Sequence, residues 1–176
     1  MRVYKPKVCI DTSAIVKWFR VEKGSDEALK LREWTEKQRI NLVFSMILLS
    51  ECARGLKKAE WSDDEIYEAL EMLDTIIELC SVEVVPIDRL VIKSAQNLVV
   101  DYGLYSADAI HDATAILTGS NYFVSSDEHH FKKDLELHME KKGIILLKLS
   151  EVEEIEKAII RSKNMKEVGN KRWKSM

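Results

Sequence analysis

The chain has 176 residues and a net charge of −3, from 27 Lys and Arg against 30 Asp and Glu. That length fits one domain burying roughly 70% of the surface its unfolded form exposes, and the charge argues against a protein that coats nucleic acid through bulk positive charge. Cys9, Cys52 and Cys80 make no CxxC pair, as in a reducing cytoplasm. The longest apolar run, Leu42 to Leu49, is far short of the roughly 20 residues a membrane helix needs, so a cytoplasmic protein without a membrane partner is expected.

After a polar lead-in, Val8-Cys9-Ile10 reads as a first strand, and Asp11 stands where that strand meets a helical pattern. Thr12 or Ser13 is the expected helix cap, and Asp11 either ends the strand or serves a ligand site at the sheet's carboxyl edge. Asp26 to Gln38, with Ser25 as cap, has Ala28, Leu31, Trp34 and Thr35 at helical spacing. Leu42 to Phe44 reads as a second strand, followed by a helix from Met46 to Gly55 that carries Glu51 in its central turns. Ser62 and Glu65 form a capping-box pattern opening a helix that buries Ile66, Leu70, Leu73 and Ile77, with further apolar residues on neighbouring faces.

Val82 to Val85 is the expected third strand, and Asp88 to Tyr102 a helix closed by Gly103. Another helix opens at Ser106-Ala107-Asp108 and runs to about Leu117. Asn121 to Val124 forms a fourth strand ending at Ser125-Ser126-Asp127, Phe131 to Lys142 a helix, and Ile144 to Leu149 a fifth strand. Strands alternating with helices predict a single α/β domain built on a mostly parallel sheet. The last 20 residues carry seven basic side chains against Glu167, leaving a basic end on an acidic body. The expected division is residues 1–150 for the domain and 151–176 for a helical or flexible basic tail.

Four carboxylates occupy comparable places: Asp11, Glu51, Asp108 and Asp127. Val-Cys-Ile-Asp-Thr-Ser and Tyr-Phe-Val-Ser-Ser-Asp each put an acid and small hydroxyl residues at a strand end, so adjacent strands would bring Asp11 and Asp127 together. Clustered carboxylates repel and raise one another's pKa values unless a cation lies among them. Mg²⁺ or Mn²⁺ suits such oxygen donors, and phosphodiester hydrolysis is the chemistry they would serve. Asp112, one turn after Asp108, reads as polar surface. His130, Asp134 and His138 share a helical spacing and read as a solvated face rather than a zinc or nickel site.

Ile10-Asp11-Thr12-Ser13-Ala14, Ser50-Glu51, Ser106-Ala107-Asp108-Ala109-Ile110-His111 and Ser125-Ser126-Asp127 with Phe131 resemble, in order and spacing, the PIN-domain nucleases. The resemblance covers about Lys7 to Leu149. It implies a three-layer α/β/α sandwich and Mg²⁺- or Mn²⁺-dependent RNA cleavage. Asp11, Glu51, Asp108 and Asp127 would be the catalytic and metal-binding acids, Asp11 and Asp108 the most direct ligands, with Ser13 and Ser125 orienting them. It also implies a VapC-type toxin, a small antitoxin partner and a homodimer. The rival reading is a PIN-like scaffold or RNA-binding component without cleavage.

Overall fold

The computed structural model describes residues 5–161. Strands β1 (Lys7–Ile10), β2 (Asn41–Ser45), β3 (Glu83–Val85), β4 (Tyr122–Ser125) and β5 (Ile145–Lys148) form one sheet in the order β3-β2-β1-β4-β5. Every pairing is parallel. The chain leaves β1 for β2 and β3 on one side, then returns to place β4 and β5 on the other. Strand order therefore reverses between β1 and β4, where the carboxyl ends of parallel strands open into a crevice. Cys9 pairs with Phe123 and Ile10 with Val124. That register puts the residues following both strands side by side.

Strand side chains alternate between two cores. Val8, Ile10, Leu42, Phe44 and Val124 pack beneath α1 (Thr12–Ile15), α2 (Ser25–Glu36), α3 (Ile47–Lys58) and α4 (Asp63–Cys80). Cys9, Val43 and Phe123 face α5 (Arg89–Tyr102), α6 (Ser106–Thr118) and α7 (Lys133–Lys141). Helices on both faces make the three-layer α/β/α sandwich that apolar parallel strands require. Residues 153–161 are helical, and Val152, Ile155 and Ile159 join the first core. These residues fall within the tail expected over 151–176, whose remaining residues, 162–176, lie outside the described residues. Among the described residues no helix is long and apolar enough to cross a membrane.

Local chemistry moves several boundaries. Ser25 is not the cap of α2, because its hydroxyl donates to the Arg20 carbonyl at 2.6 Å and accepts from the Glu22 amide at 2.9 Å, while Gly24 turns the chain at φ 92°. Gly55 does not end α3. The helix runs on to Lys58, and a Cβ at Gly55 would lie 3.0 Å from Val16 Cγ1, so the glycine admits the segment that follows Asp11 rather than stopping the helix. The α4 helix buries Ile66, Ala69, Leu73 and Ile76 on one side and leaves Tyr67, Met72 and Leu79 exposed.

The Ser62–Glu65 capping box is present in both directions, with the Glu65 amide 3.3 Å from Ser62 Oγ and the Ser62 amide 2.8 Å from Glu65 Oε2. Ser62→Ala should lower stability by about 1 kcal/mol, with no change in the denaturant slope, in a urea titration. No loss would mean that α4 is held by its packing alone.

Candidate active site

Asp11 is built into the fold before any ligand is considered. It caps α1, accepting from the Ala14 amide at 3.2 Å, and its backbone amide reaches the Val124 carbonyl across the sheet at 3.4 Å. Thr12 and Ser13, the expected caps, are used otherwise. Ser13 Oγ donates to Asp11 Oδ1 at 2.7 Å, and Ser125 Oγ donates to Asp11 Oδ2, also at 2.7 Å. Both oxygens are thus aimed by hydroxyl groups from the two strand ends that the register brings together. Ser13 Oγ also accepts from the Ser126 amide at 2.8 Å, and Ser125 Oγ from the Asp127 amide at 2.8 Å. Asp127 is fixed in turn by capping a 3-10 turn, Glu128–His130, through the His129 amide at 3.0 Å.

That turn resets the helical phase, so His130 does not share a face with Asp134 and His138; α7 starts only at Lys133. His130 is fully buried against Phe123, with ring centroids 4.9 Å apart. Its Nδ1 lies 3.1 and 3.0 Å from the two oxygens of Asp112, which is itself fully buried. The expected polar-surface role of Asp112 is therefore overturned. Burial of an acid at this depth demands a partner, and His130 is that partner. From Nε2, His130 faces Asp11 Oδ2 at 3.4 Å and Asp108 Oδ1 at 3.9 Å.

A second imidazole serves Glu51. His111 Nε2 lies 2.8 Å from Glu51 Oε2, and Thr12 Oγ1 donates to the same oxygen at 2.6 Å. All four acids expected from the sequence therefore stand at one edge of the sheet, Asp11 held by Ser13 and Ser125, Glu51 by Thr12 and His111, and His130 facing Asp11 and Asp108. The Asp108 carboxylate, at the start of α6, differs from the others. It accepts no hydrogen bond among the described residues.

Charge follows from this arrangement. Burial works to raise the Asp11 carboxyl, but the positively charged His130 ring 3.4 Å away, with the Ser125 hydroxyl, holds it below its ordinary range. Glu51 is likewise held low against its burial by His111 and Thr12. Asp108 goes up, chiefly through loss of water, offset in part by His130 and reinforced by the charges of Asp127 and Asp11. Asp112 also goes up, through near-complete desolvation, although His130 opposes it. His130 is pushed up to about 11, since Asp11 and Asp112 together outweigh the burial that would neutralise it. The proton of this buried pair resides on the imidazole, because two carboxylates besides Asp112 face the ring.

The folded state thus binds the His130 proton far more tightly than the unfolded chain. Its stabilising contribution is complete below about pH 6.5 and is lost as pH rises toward about 11. Asp11 and Glu51 act oppositely, adding stability that disappears on acidification. Urea midpoints taken between about pH 7 and pH 9 should fall for the wild-type protein, by at most about 1.4 kcal/mol per pH unit. The same slope in His130→Gln would place the titration elsewhere.

Among the described residues, no three His, Cys, Asp or Glu side chains form a group that could hold a metal ion as they stand. The donor chemistry nonetheless fits a hard divalent cation. Asp108 is partly desolvated, faces two further acids and lacks a hydrogen bond, so a cation would relieve its repulsion. Asp11 and Asp127 are the other oxygen donors positioned by the strand ends. What the sequence pattern missed is that His130 already compensates part of this negative charge. The alanines of α6 (Ala107, Ala109, Ala113, Ala115) were the available signal, since small residues on every side mark a helix packed closely all round.

A family model described as PIN domain matches residues 8–135. Among solved structures, the chain is similar to FitAB bound to an IR36 DNA fragment, with TM-score 0.57 and 15% identity over 81% of this chain and 94% of that one. It is similar to VapBC2 from Rickettsia felis bound to a fragment of promoter DNA, with TM-score 0.56 and 18% identity over 81% and 98% of the two chains. FitAcB from Neisseria gonorrhoeae gives TM-score 0.55 and 17% identity over 81% and 97%. No curated protein matches the sequence significantly.

Proposed function

Because the chain belongs to the PIN-domain family, we propose that it is a divalent-metal-dependent nuclease that hydrolyses RNA phosphodiester bonds. The observation that carries this reading is the placement of Asp11, Asp108 and Asp127 at the strand-order reversal, with Asp11 aimed by Ser13 and Ser125. Mg²⁺ or Mn²⁺, held by Asp11 and Asp108 with Asp127 and Glu51 completing the site, would neutralise charge at phosphorus and make bound water acidic.

The chain's own groups divide the remaining work. Ser13 and Ser125 keep both Asp11 oxygens pointed into the crevice. Thr12 and His111 fix Glu51, while Asp108 stays free of hydrogen bonds and available to a ligand. In this reading neither serine is a covalent nucleophile; each hydroxyl serves to orient an Asp11 oxygen. Water attacks phosphorus in line, leaving a 5′-phosphate and a 3′-hydroxyl. Beside the acids, Lys17, Lys23 and Lys148 line a cleft shared with Ser126 and Glu128; a backbone phosphate entering it would compete with Glu22 for Lys17 and with Glu128 for Lys148.

In this reading the protein is the toxin of a toxin-antitoxin pair, a homodimer restrained by a small antitoxin. Support comes from the fold it shares with the VapBC2 and FitAcB structures. The test is cleavage of an end-labelled RNA pool by the purified protein in Mn²⁺, Mg²⁺ or EDTA. Cutting confined to the metal samples is the expected result. A folded protein that cuts nothing and is not stabilised by either ion supports the non-cleaving scaffold instead. One observation favours that second reading: the His130 imidazolium, between Asp112, Asp11 and Asp108, offsets part of the acids' mutual repulsion from within the chain.

A further inference from the structure

Resting on that acidic-site reading, we propose that His130 is itself a metal ligand through Nε2, with Asp112 locking the ring from behind, so that the site is a mixed nitrogen and oxygen set rather than carboxylate alone. His130 is fully buried, and Nε2 has no hydrogen-bond partner although it points between two acids. At 3.4 Å it is an ion-pair neighbour of Asp11 Oδ2 but not a hydrogen-bond donor to it. An exposed nitrogen would be satisfied by water. This one is sealed in and aimed at the place where a cation belongs.

The opposite face of the ring supports the same assignment. Nδ1 is shared by both oxygens of Asp112, at 3.1 and 3.0 Å. A metal-bound imidazole characteristically gives its other nitrogen to a carboxylate, which fixes the tautomer and strengthens the ligand. Asp112 has no other hydrogen bond among the described residues and is fully buried. Distances agree as well. Adjacent ligands on an octahedral ion stand ~3 Å apart, and Nε2 lies 3.4 Å from Asp11 Oδ2 and 3.9 Å from Asp108 Oδ1. A small contraction brings the three donors onto one ion, which takes the place of the Nε2 proton released to solvent.

An imidazole ligand changes which ion is preferred. Carboxylates and water suit Mg²⁺ and Mn²⁺ alike, whereas nitrogen raises affinity for the later first-row ions and for Mn²⁺ over Mg²⁺. Pulsed electron paramagnetic resonance on the Mn²⁺-loaded protein reads this directly, because a nitrogen bound to Mn²⁺ modulates the spin echo. The expected result is nitrogen modulation in wild type and in His111→Gln, and none in His130→Gln. Competition between Mn²⁺ and Mg²⁺ should show the Mn²⁺ preference reduced about tenfold in His130→Gln, and Asp112→Asn should weaken Mn²⁺ binding by about 10–100-fold.

Mn²⁺ bound to wild type without nitrogen modulation overturns the His130 ligand and leaves the acidic site standing. Loss of modulation in His111→Gln overturns it too, assigning the nitrogen to the wrong ring. Failure of wild type to bind Mn²⁺ at all removes both the ligand and the acidic-site reading. If His130→Gln does not fold, modulation retained in both His111→Gln and His129→Gln assigns the nitrogen to His130, and its loss in either overturns the proposal, since His129 Nε2 lies 3.9 Å from Asp127 Oδ1.

Discussion

Asp108→Asn should abolish metal-dependent RNA cleavage while leaving the metal-free protein as stable as wild type or more so. The two effects part because Asp108 contributes nothing that the fold needs. Its carboxylate accepts no hydrogen bond among the described residues, its ionised form is opposed by desolvation, and Asp11 and Asp127 repel it further. An amide of the same shape removes that penalty. It also removes an anionic oxygen from the proposed metal site, where several kcal/mol of charge stabilisation are at stake. The rate should fall at least about a hundredfold, equivalent to ~2.7 kcal/mol in the transition state. The rise in melting temperature caused by Mn²⁺ should vanish with it. Cleavage at the wild-type rate would remove Asp108 from the mechanism.

His130→Ala is expected to be the most damaging substitution for the fold itself. Removing one member of a buried ion pair leaves the other charge unpaired, typically at a cost of about 3–5 kcal/mol. Here the group left behind is Asp112, fully buried and hydrogen-bonded to His130 alone among the described residues. A drop of roughly 10 °C in melting temperature should accompany the change. Adding Asp112→Asn should recover part of the loss, since the uncompensated charge disappears while the cavity stays. That partial recovery separates the electrostatic cost from the packing cost in a double-mutant cycle. A loss below about 1 kcal/mol for His130→Ala would mean that the imidazolium does not balance Asp112.

The sheet and its acidic edge were legible because two strand ends repeat one pattern. An apolar run followed by an acid and small hydroxyls appears after both β1 and β4, and their pairing in register brings Asp11 beside Ser125. The helix carrying Glu51 and the one carrying Asp108 were legible from apolar periodicity. His130 was not, because its spacing to Asp134 and His138 fits a continuous helix. Only the 3-10 turn capped by Asp127 turns it inward, and that cap depends on a backbone conformation no periodicity reports. Asp112 was misread for a related reason. Acids four apart on a helix usually mark a wet face, but α6 is packed on nearly every side, with Ala109 to Ala115 all buried.

Asp11 serves the helix cap, the sheet edge and the acidic site at once, and asparagine caps helices as well as aspartate does. An amide at this position keeps an oxygen for the Ala14 amide and the Ser13 hydroxyl, and its nitrogen can donate to Ser125 once that hydroxyl turns. A single-base change in the gene could thus silence the proposed chemistry while the cap and the sheet edge keep their hydrogen bonds, at the expense of the stability that the Asp11 charge adds beside His130. Lineages carrying such a change would inherit a folded module with the rest of its surface intact, free to be recruited for binding alone. Loss of the proposed catalysis here is a short evolutionary step, opposed only by the stability that the Asp11 charge contributes.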